Sequence, residues 1–202
     1  DGDDISGWVD FDSPLSRLLE EPGSSEDSHT FTFDVTPDDS LEAGTQVAIG
    51  IQGRAGSEIG CEKVLTVTVG QEFGASMSLS KSRLSNVEPG TSGTLSIQIT
   101  NQGNGQETMA LGTSGVPPGW QVSFSQSTVT LGSSQSSNNK ETVSVDIFVP
   151  EDASAESDTV ISFTVGRGGG TTPYDSKDLT VSVAPRHEVS TSMVSDQQTG
   201  RS

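Results

Sequence analysis

Apolar residues recur at every second position through much of the chain. The runs are Met77 and Leu79; Leu95, Ile97 and Ile99; Met109 and Leu111; Val122 and Phe124; Val129 and Leu131; Val143, Val145, Ile147 and Val149; Ile161, Phe163 and Val165; and Leu179, Val181 and Val183. Successive residues of a strand face opposite sides, so each run predicts a strand with one apolar and one polar face. About seven or eight half-buried strands follow. Turn formers fall between the runs: Pro89-Gly90, residues 101–105, Pro117-Pro118-Gly119, residues 132–139 and residues 166–170. Short strands so punctuated, with no helical period between them, predict an all-β antiparallel sandwich. The one helix-like patch is Pro14-Leu15-Ser16-Arg17-Leu18-Leu19-Glu20-Glu21, closed by Pro22-Gly23.

The pattern repeats. Gly7-Trp8-Val9-Asp10-Phe11 resembles Gly119-Trp120-Gln121-Val122-Ser123-Phe124, with the tryptophans 112 residues apart. Pro37-Asp38-Asp39 resembles Pro150-Glu151-Asp152 at a separation of 113, and Leu65-Thr66-Val67-Thr68-Val69 resembles Leu179-Thr180-Val181-Ser182-Val183 at 114. Three anchors in one order predict a tandem repeat of about 113 residues, the length of a small domain. On this reading residues 1–70 are the C-terminal part of a first copy and residues 73–185 a complete one. Residues 186–202 are a linker and the start of a third, since His187-Glu188-Val189-Ser190-Thr191-Ser192-Met193 stands where Phe73-Gly74-Ala75-Ser76-Met77-Ser78-Leu79 stood. The chain opens at Asp1 without a methionine and reads as an excised piece of a longer array.

Composition narrows the function. The 202 residues carry 28 acidic and 10 basic side chains, a formal net charge of −18. Binding a polyanion needs clustered Lys and Arg that this chain lacks, so anionic lipid surfaces are poor partners and no nucleic-acid partner is expected. Ser and Thr make up roughly a quarter of the chain, and there are 23 glycines, which suits thin strands and many turns. The apolar stretches are only a few residues long, so no membrane insertion, signal-peptide core or lipidation signal is expected within this segment. A single cysteine, Cys61, excludes an internal disulfide and a cysteine-built zinc site, and reads as a small strand-flanking side chain.

The complete copy resembles a known group. The residues that carry the likeness are Asn101-Gln102-Gly103-Asn104, Val116-Pro117-Pro118-Gly119-Trp120, Val129-Thr130-Leu131 and Val149-Pro150-Glu151-Asp152-Ala153. They resemble the immunoglobulin-like domain associated with carbohydrate-binding modules in secreted α-galactosidases, and the related cell-adhesion domain of bacteria. The resemblance covers roughly residues 75–184, and the first copy matches it from Trp8 onward. It implies immunoglobulin-like sandwiches in tandem, extracellular or on a cell surface, that space other domains and carry no catalytic residues. Residues 101–105 suit a tight connection with positive φ. Pro117-Pro118-Gly119 is expected to swing the chain to the opposite sheet and deliver Trp120 to the core, and Trp8 to do the same in the first copy.

Candidate chemistry is sparse. Nucleophilic catalysis needs a nucleophile beside an oriented base. The only histidines, His29 and His187, have no counterparts at matching places, and no Gly-x-Ser-x-Gly elbow exists. Asp38-Asp39 and Glu151-Asp152 follow prolines between strands, where carboxylates bond local amides and form turns. Asp1-Gly2-Asp3-Asp4 invites calcium, but Ile5 follows and the second copy has no carboxylate at the matching place. Arg167-Gly168-Gly169-Gly170 lies between strands, so a hairpin is expected rather than a phosphate cradle. No Asn-x-Ser or Asn-x-Thr occurs; Ser133-Ser134-Gln135-Ser136-Ser137 is a plain loop or an acceptor of O-linked sugar.

The expectation is therefore a non-catalytic structural or spacer module of a large secreted or cell-surface protein, with no cofactor, metal or catalytic residue. Its partners are neighbouring repeats of the same chain. The alternative is an adhesion module that holds carbohydrate, calcium or a surface protein on loops at one end of the sandwich. Sugar binding would need exposed rings, for which Tyr174 and Phe148 are the surface candidates.

Overall fold

The structure is a computed structural model. It describes residues 7–11, 16, 18–25, 27–155, 158–168, 170, 172–186 and 191–192. Among the described residues thirteen strands form: β1 (Val9–Phe11), β2 (Phe33–Val35), β3 (Gln46–Ala55), β4 (Glu58–Thr68), β5 (Ala75–Leu79), β6 (Arg83–Val87), β7 (Ser92–Asn101), β8 (Glu107–Ser114), β9 (Gln121–Phe124), β10 (Thr128–Leu131), β11 (Lys140–Phe148), β12 (Asp158–Arg167) and β13 (Pro173–Val183). The part of the helix-like patch that is described, residues 16 and 18–21, is not helical. Its other residues, like residues 1–6 and His187 and Met193, lie outside the described residues.

Strands β5 to β13 make a sandwich. One sheet runs β10-β8-β12-β13-β6 and the other β5-β7-β11-β9. Every pairing is antiparallel except β6 with β13. The chain leaves the four-stranded sheet early: Ser80 N–H still donates to Ser96 O, while Ser82 O already accepts from Thr180 N–H. Of the eight connections within the sandwich only β12 to β13 stays in one sheet; the others cross between sheets. Two antiparallel sheets linked in this way, with an early strand that changes sheet, define an immunoglobulin-like sandwich.

Side-chain alternation builds the core. Ile97 and Ile99, Val143, Val145 and Ile147, Ile161, Phe163 and Val165, and Leu179 and Val181 are fully buried. The edge of one ring meets the face of the other where Phe124 packs on Phe163, at 6.0 Å between centroids. The turn at Pro117-Pro118-Gly119 behaves as expected. Trp120 N–H donates to Pro117 O, Gly119 takes φ 82°, and Trp120 is half-buried against the core.

Strand β6 escaped the period-two reading because Leu84 and Val87 are three residues apart. Asn86 holds φ 55°, so Leu84 stands opposite Val181 and Val87 opposite Val183. Three positions on one strand match two on the other, a bulge that returns Val87 to the core face. Asn86 N–H is met by Ser182 Oγ at 3.2 Å. Residues 101–105, by contrast, do not take the positive φ expected of them; among non-glycine residues described, Asn86 alone does.

The described residues among the first seventy form no sandwich of their own. The β3–β4 ribbon and the β1–β2 pair are separate two-stranded sheets. The ribbon nevertheless matches β12–β13 pair for pair: Ile49 faces Leu65 and Ile51 faces Lys63, as Ile161 faces Leu179 and Phe163 faces Lys177. What differs is cover. Ile51 is 40% and Leu65 38% exposed, whereas Phe163 and Leu179 are at 0%. Trp8, expected in a core, is half-buried and outside the sandwich core, because among the described residues no second sheet lies over this segment.

Candidate functional site

The sandwich meets the preceding segment through the loop between β7 and β8. Asn101, 1% exposed, spends its side chain on that loop: Nδ2 donates to Gly105 O at 2.8 Å and Gly132 O at 2.7 Å, and Oδ1 accepts from Gly103 N–H at 2.9 Å. A buried amide so satisfied fixes the loop's shape, which explains the asparagine without any left-handed backbone. Ser134 N–H donates to Gly103 O and ties the 132–139 connection to the same point.

Asn104 then faces outward. Its Nδ2 donates to Gly70 O at 3.0 Å, its Oδ1 accepts from Glu72 N–H at 2.8 Å, and its backbone oxygen accepts from Ala43 N–H at 2.9 Å. A carboxamide offers a donor and an acceptor side by side, as a peptide group does, so it clamps the chain leaving β4 as a neighbouring strand would. Gln71 Nε2 donates to Gln106 O at 3.1 Å, and Ser133 Oγ to Glu42 Oε1 at 2.8 Å. A Cβ on Gly103 would run into the Glu72 carbonyl oxygen, and one on Gly105 would lie 3.1 Å from Ala43 Cβ. Both glycines serve close approach.

A second polar cluster lies on the sandwich itself. Tyr174, expected as an exposed ring in a glycine-rich hairpin, is half-buried against the core and donates its hydroxyl to Glu107 Oε1 at 2.6 Å. Burial first, then that bond and the carboxylate's charge, push the phenol up to about 12. Glu107 is 6% exposed, and its Oε2 is buried with no partner among the described residues. Nearby, Arg167 stacks 4.3 Å from the centre of the Phe73 ring. Asp175 bridges the sheets by accepting from Met77 N–H at 2.8 Å. Burial raises its pKa, but the bonds from Met77, Lys177 and Ser176 outweigh this and hold it below the ordinary value.

The other candidates are dispersed. His29 meets the Phe31 ring in an edge contact. Asp38 Oδ1 accepts from Ser40 N–H at 2.7 Å, and the Ser40 hydroxyl and amide hold its carboxyl below the usual range, the local turn role expected. Cys61 lies within β4, exposed, rather than beside it. Residues 133–137 lie in the connection between β10 and β11, the loop expected, although Ser133 itself is 4% exposed and donates to Glu42 while Ser137 is exposed. Phe148 is half-buried at the end of β11. Pro117, Pro118, Trp120, Pro150 and Asp152 line an open groove of about 260 Å³. Among the described residues no three His, Cys, Asp or Glu side chains gather as a metal site, and no helix is long and apolar enough to cross a membrane.

No family model matches the chain, and no curated protein matches it. Solved structures do. Domains 4 and 5 of the S-layer protein SbsC align at 13% identity over 88% of this chain and 99% of theirs, with a TM-score of 0.37. A PapD-like domain of human CEP192 aligns at 14% identity over 55% of this chain and 87% of its own, with a TM-score of 0.34. A family 123 glycoside hydrolase from Clostridium perfringens aligns at 9% identity and a TM-score of 0.42; the match covers 55% of this chain and 27% of the hydrolase. None of these scores is high, and the fold assignment rests on the chain's own strand order.

Proposed function

We propose that the chain is a structural spacer in which immunoglobulin-like repeats are set end to end in a secreted or cell-surface protein. Residues 1–70 are then the C-terminal part of one repeat, residues 73–185 a complete one, and residues 186–202 the lead into the next. The observation that carries this reading is the Asn104 clamp. A passive linker would leave Gly70 and Glu72 to water, whereas here their main-chain groups are held by a side chain of the following unit, which limits swivel between the two. The extracellular setting is supported by the family resemblance and by the small, polar, acidic composition.

Asn104→Ala tests the reading. It removes two bonds at the joint while leaving Asn101 and the sandwich core intact. Amide exchange at Glu72 is expected to rise, and ¹⁵N relaxation to show the β3–β4 ribbon moving independently of the sandwich. Unchanged exchange and tumbling would refute the spacer role of the joint.

The adhesion alternative is favoured by one observation, the groove beside Trp120, where a ring, prolines and the Asp152 carboxylate adjoin. Loops at one end of a rigid sandwich are common binding places.

A further inference from the structure

The joint between the first segment and the sandwich is made, on the first segment's side, mainly by backbone groups: Ala43 N–H, Gly70 O and Glu72 N–H. Backbone groups recur wherever the fold recurs. The register that equates Ile49 and Leu65 with Ile161 and Leu179 also equates Ala43 with Ala155, Gly70 with Ala184 and Glu72 with Arg186.

From this correspondence we propose that the end of the sandwich where β13 finishes receives the β7–β8 loop of another copy of the same repeat. The inference rests on the spacer reading and extends it to a second surface. The occupant is a sandwich that presents asparagine where Asn104 stands and glycine where Gly103 and Gly105 stand, since that surface combines a carboxamide clamp with room for a main-chain oxygen.

The substitutions between the two ends fit this role. A proline at the place of Ala43 or Glu72 would delete a donor, and neither Ala155 nor Arg186 is proline. The proline that does occur, Pro185, takes the place of Gln71, whose contribution to the joint is a side-chain bond to Gln106 O. Losing that bond leaves the clamp's three backbone bonds possible. The exit is also held in place, because Ala184 N–H donates to Val87 O at 2.9 Å.

The experiment is a longer polypeptide in which residues 1–186 are followed directly by a second copy of residues 73–186. Each sandwich brings its own core, since the buried cluster lies wholly between Ala75 and Val183. Amide exchange at Arg186 is compared with and without Asn104→Ala in the second sandwich alone. The substitution is expected to speed that exchange about tenfold, the worth of one backbone bond to a well-placed side chain. Equal exchange at Arg186 in the two polypeptides, or independent tumbling of the two sandwiches, would overturn the inference. Asn104→Ala in the first sandwich, read at Glu72, separates the two levels. If Glu72 responds and Arg186 does not, the spacer reading stands and this inference falls; if neither responds, both fall.

Discussion

Tyr174→Phe removes one oxygen and keeps the ring, so it isolates the hydroxyl's bond to Glu107. That bond is 2.6 Å long and ends on a carboxylate that is 6% exposed and whose other oxygen has no partner among the described residues. Hydrogen bonds to charged groups contribute about 1.5–3 kcal/mol, and a buried charge stripped of its partner costs about 3–5 kcal/mol. The tyrosine is only half-buried, so water relieves part of the loss, and a destabilisation of about 2 kcal/mol is expected. With a urea slope of about 1.5 kcal/mol/M the midpoint should fall by roughly 1.3 M.

The double variant Tyr174→Phe, Glu107→Leu sharpens the test, because removing both polar partners is far cheaper than orphaning one. It should recover more than half of the loss. The pH dependence has a definite sign. The unfolded phenol loses its proton near 10.0 and the folded one near about 12, so the folded state binds more protons in that window. The contribution is complete below pH 10 and is lost as pH rises towards 12. Tyr174 is the chain's one tyrosine, so ultraviolet titration of the phenolate reports it directly. A Tyr174→Phe midpoint within about 0.3 M of the parent, or a double variant weaker than the single one, would refute the buried-pair account.

Three further outcomes are expected. Trp120→Ala should destabilise the sandwich by about 3 kcal/mol in urea melts, the lower end for aromatic truncation because the ring is half-buried; neutral oligosaccharides should leave Trp120 fluorescence unchanged, and saturable quenching would favour the adhesion reading instead. Asn86→Ala should cost about 1 kcal/mol through its left-handed backbone and Asn86→Gly much less, so equal midpoints would remove the bulge explanation for β6. Residues 73–185 alone should melt cooperatively with a β-type circular dichroism spectrum, whereas residues 1–70 alone should aggregate or exchange freely, since Ile51, Leu65 and Phe31 are open to solvent; slow exchange in a monomeric 1–70 fragment would end the truncated-repeat reading.

Much of the sandwich is legible in the sequence, because strands buried on one face write their burial as a period of two. The runs containing Ile97, Val145, Phe163 and Val181 all became core. Strand β6 was hidden by the left-handed Asn86, which shifts the period to three. The loop at residues 101–105 announces itself through asparagine and glycine, but the cause is a side-chain network and close approach, neither of which a local φ argument can reveal. Tyr174 was misread for a related reason: its hairpin looks exposed, while the partner that buries its hydroxyl is Glu107, 67 residues earlier. The joint is the least legible feature, since Gly70 takes part through a carbonyl oxygen that every residue possesses, and Ala43 and Glu72 through an N–H that every residue except proline possesses.

The sheet-crossing connections also determine when the sandwich can exist during synthesis. In the order β10-β8-β12-β13-β6, the sheet has its two last-made strands in the middle. Before they leave the ribosome, β10 and β8 have one open side and β6 has no partner in its own sheet. Strand β6 must wait about a hundred residues for Val181 and Val183, a closure long enough to make folding slow. The β12–β13 hairpin is the fast local step, and it comes last in the chain. The sandwich should therefore stay open until its final strand emerges and then close in a single cooperative event, and on the repeat reading an array would mature one unit at a time from its N-terminal end.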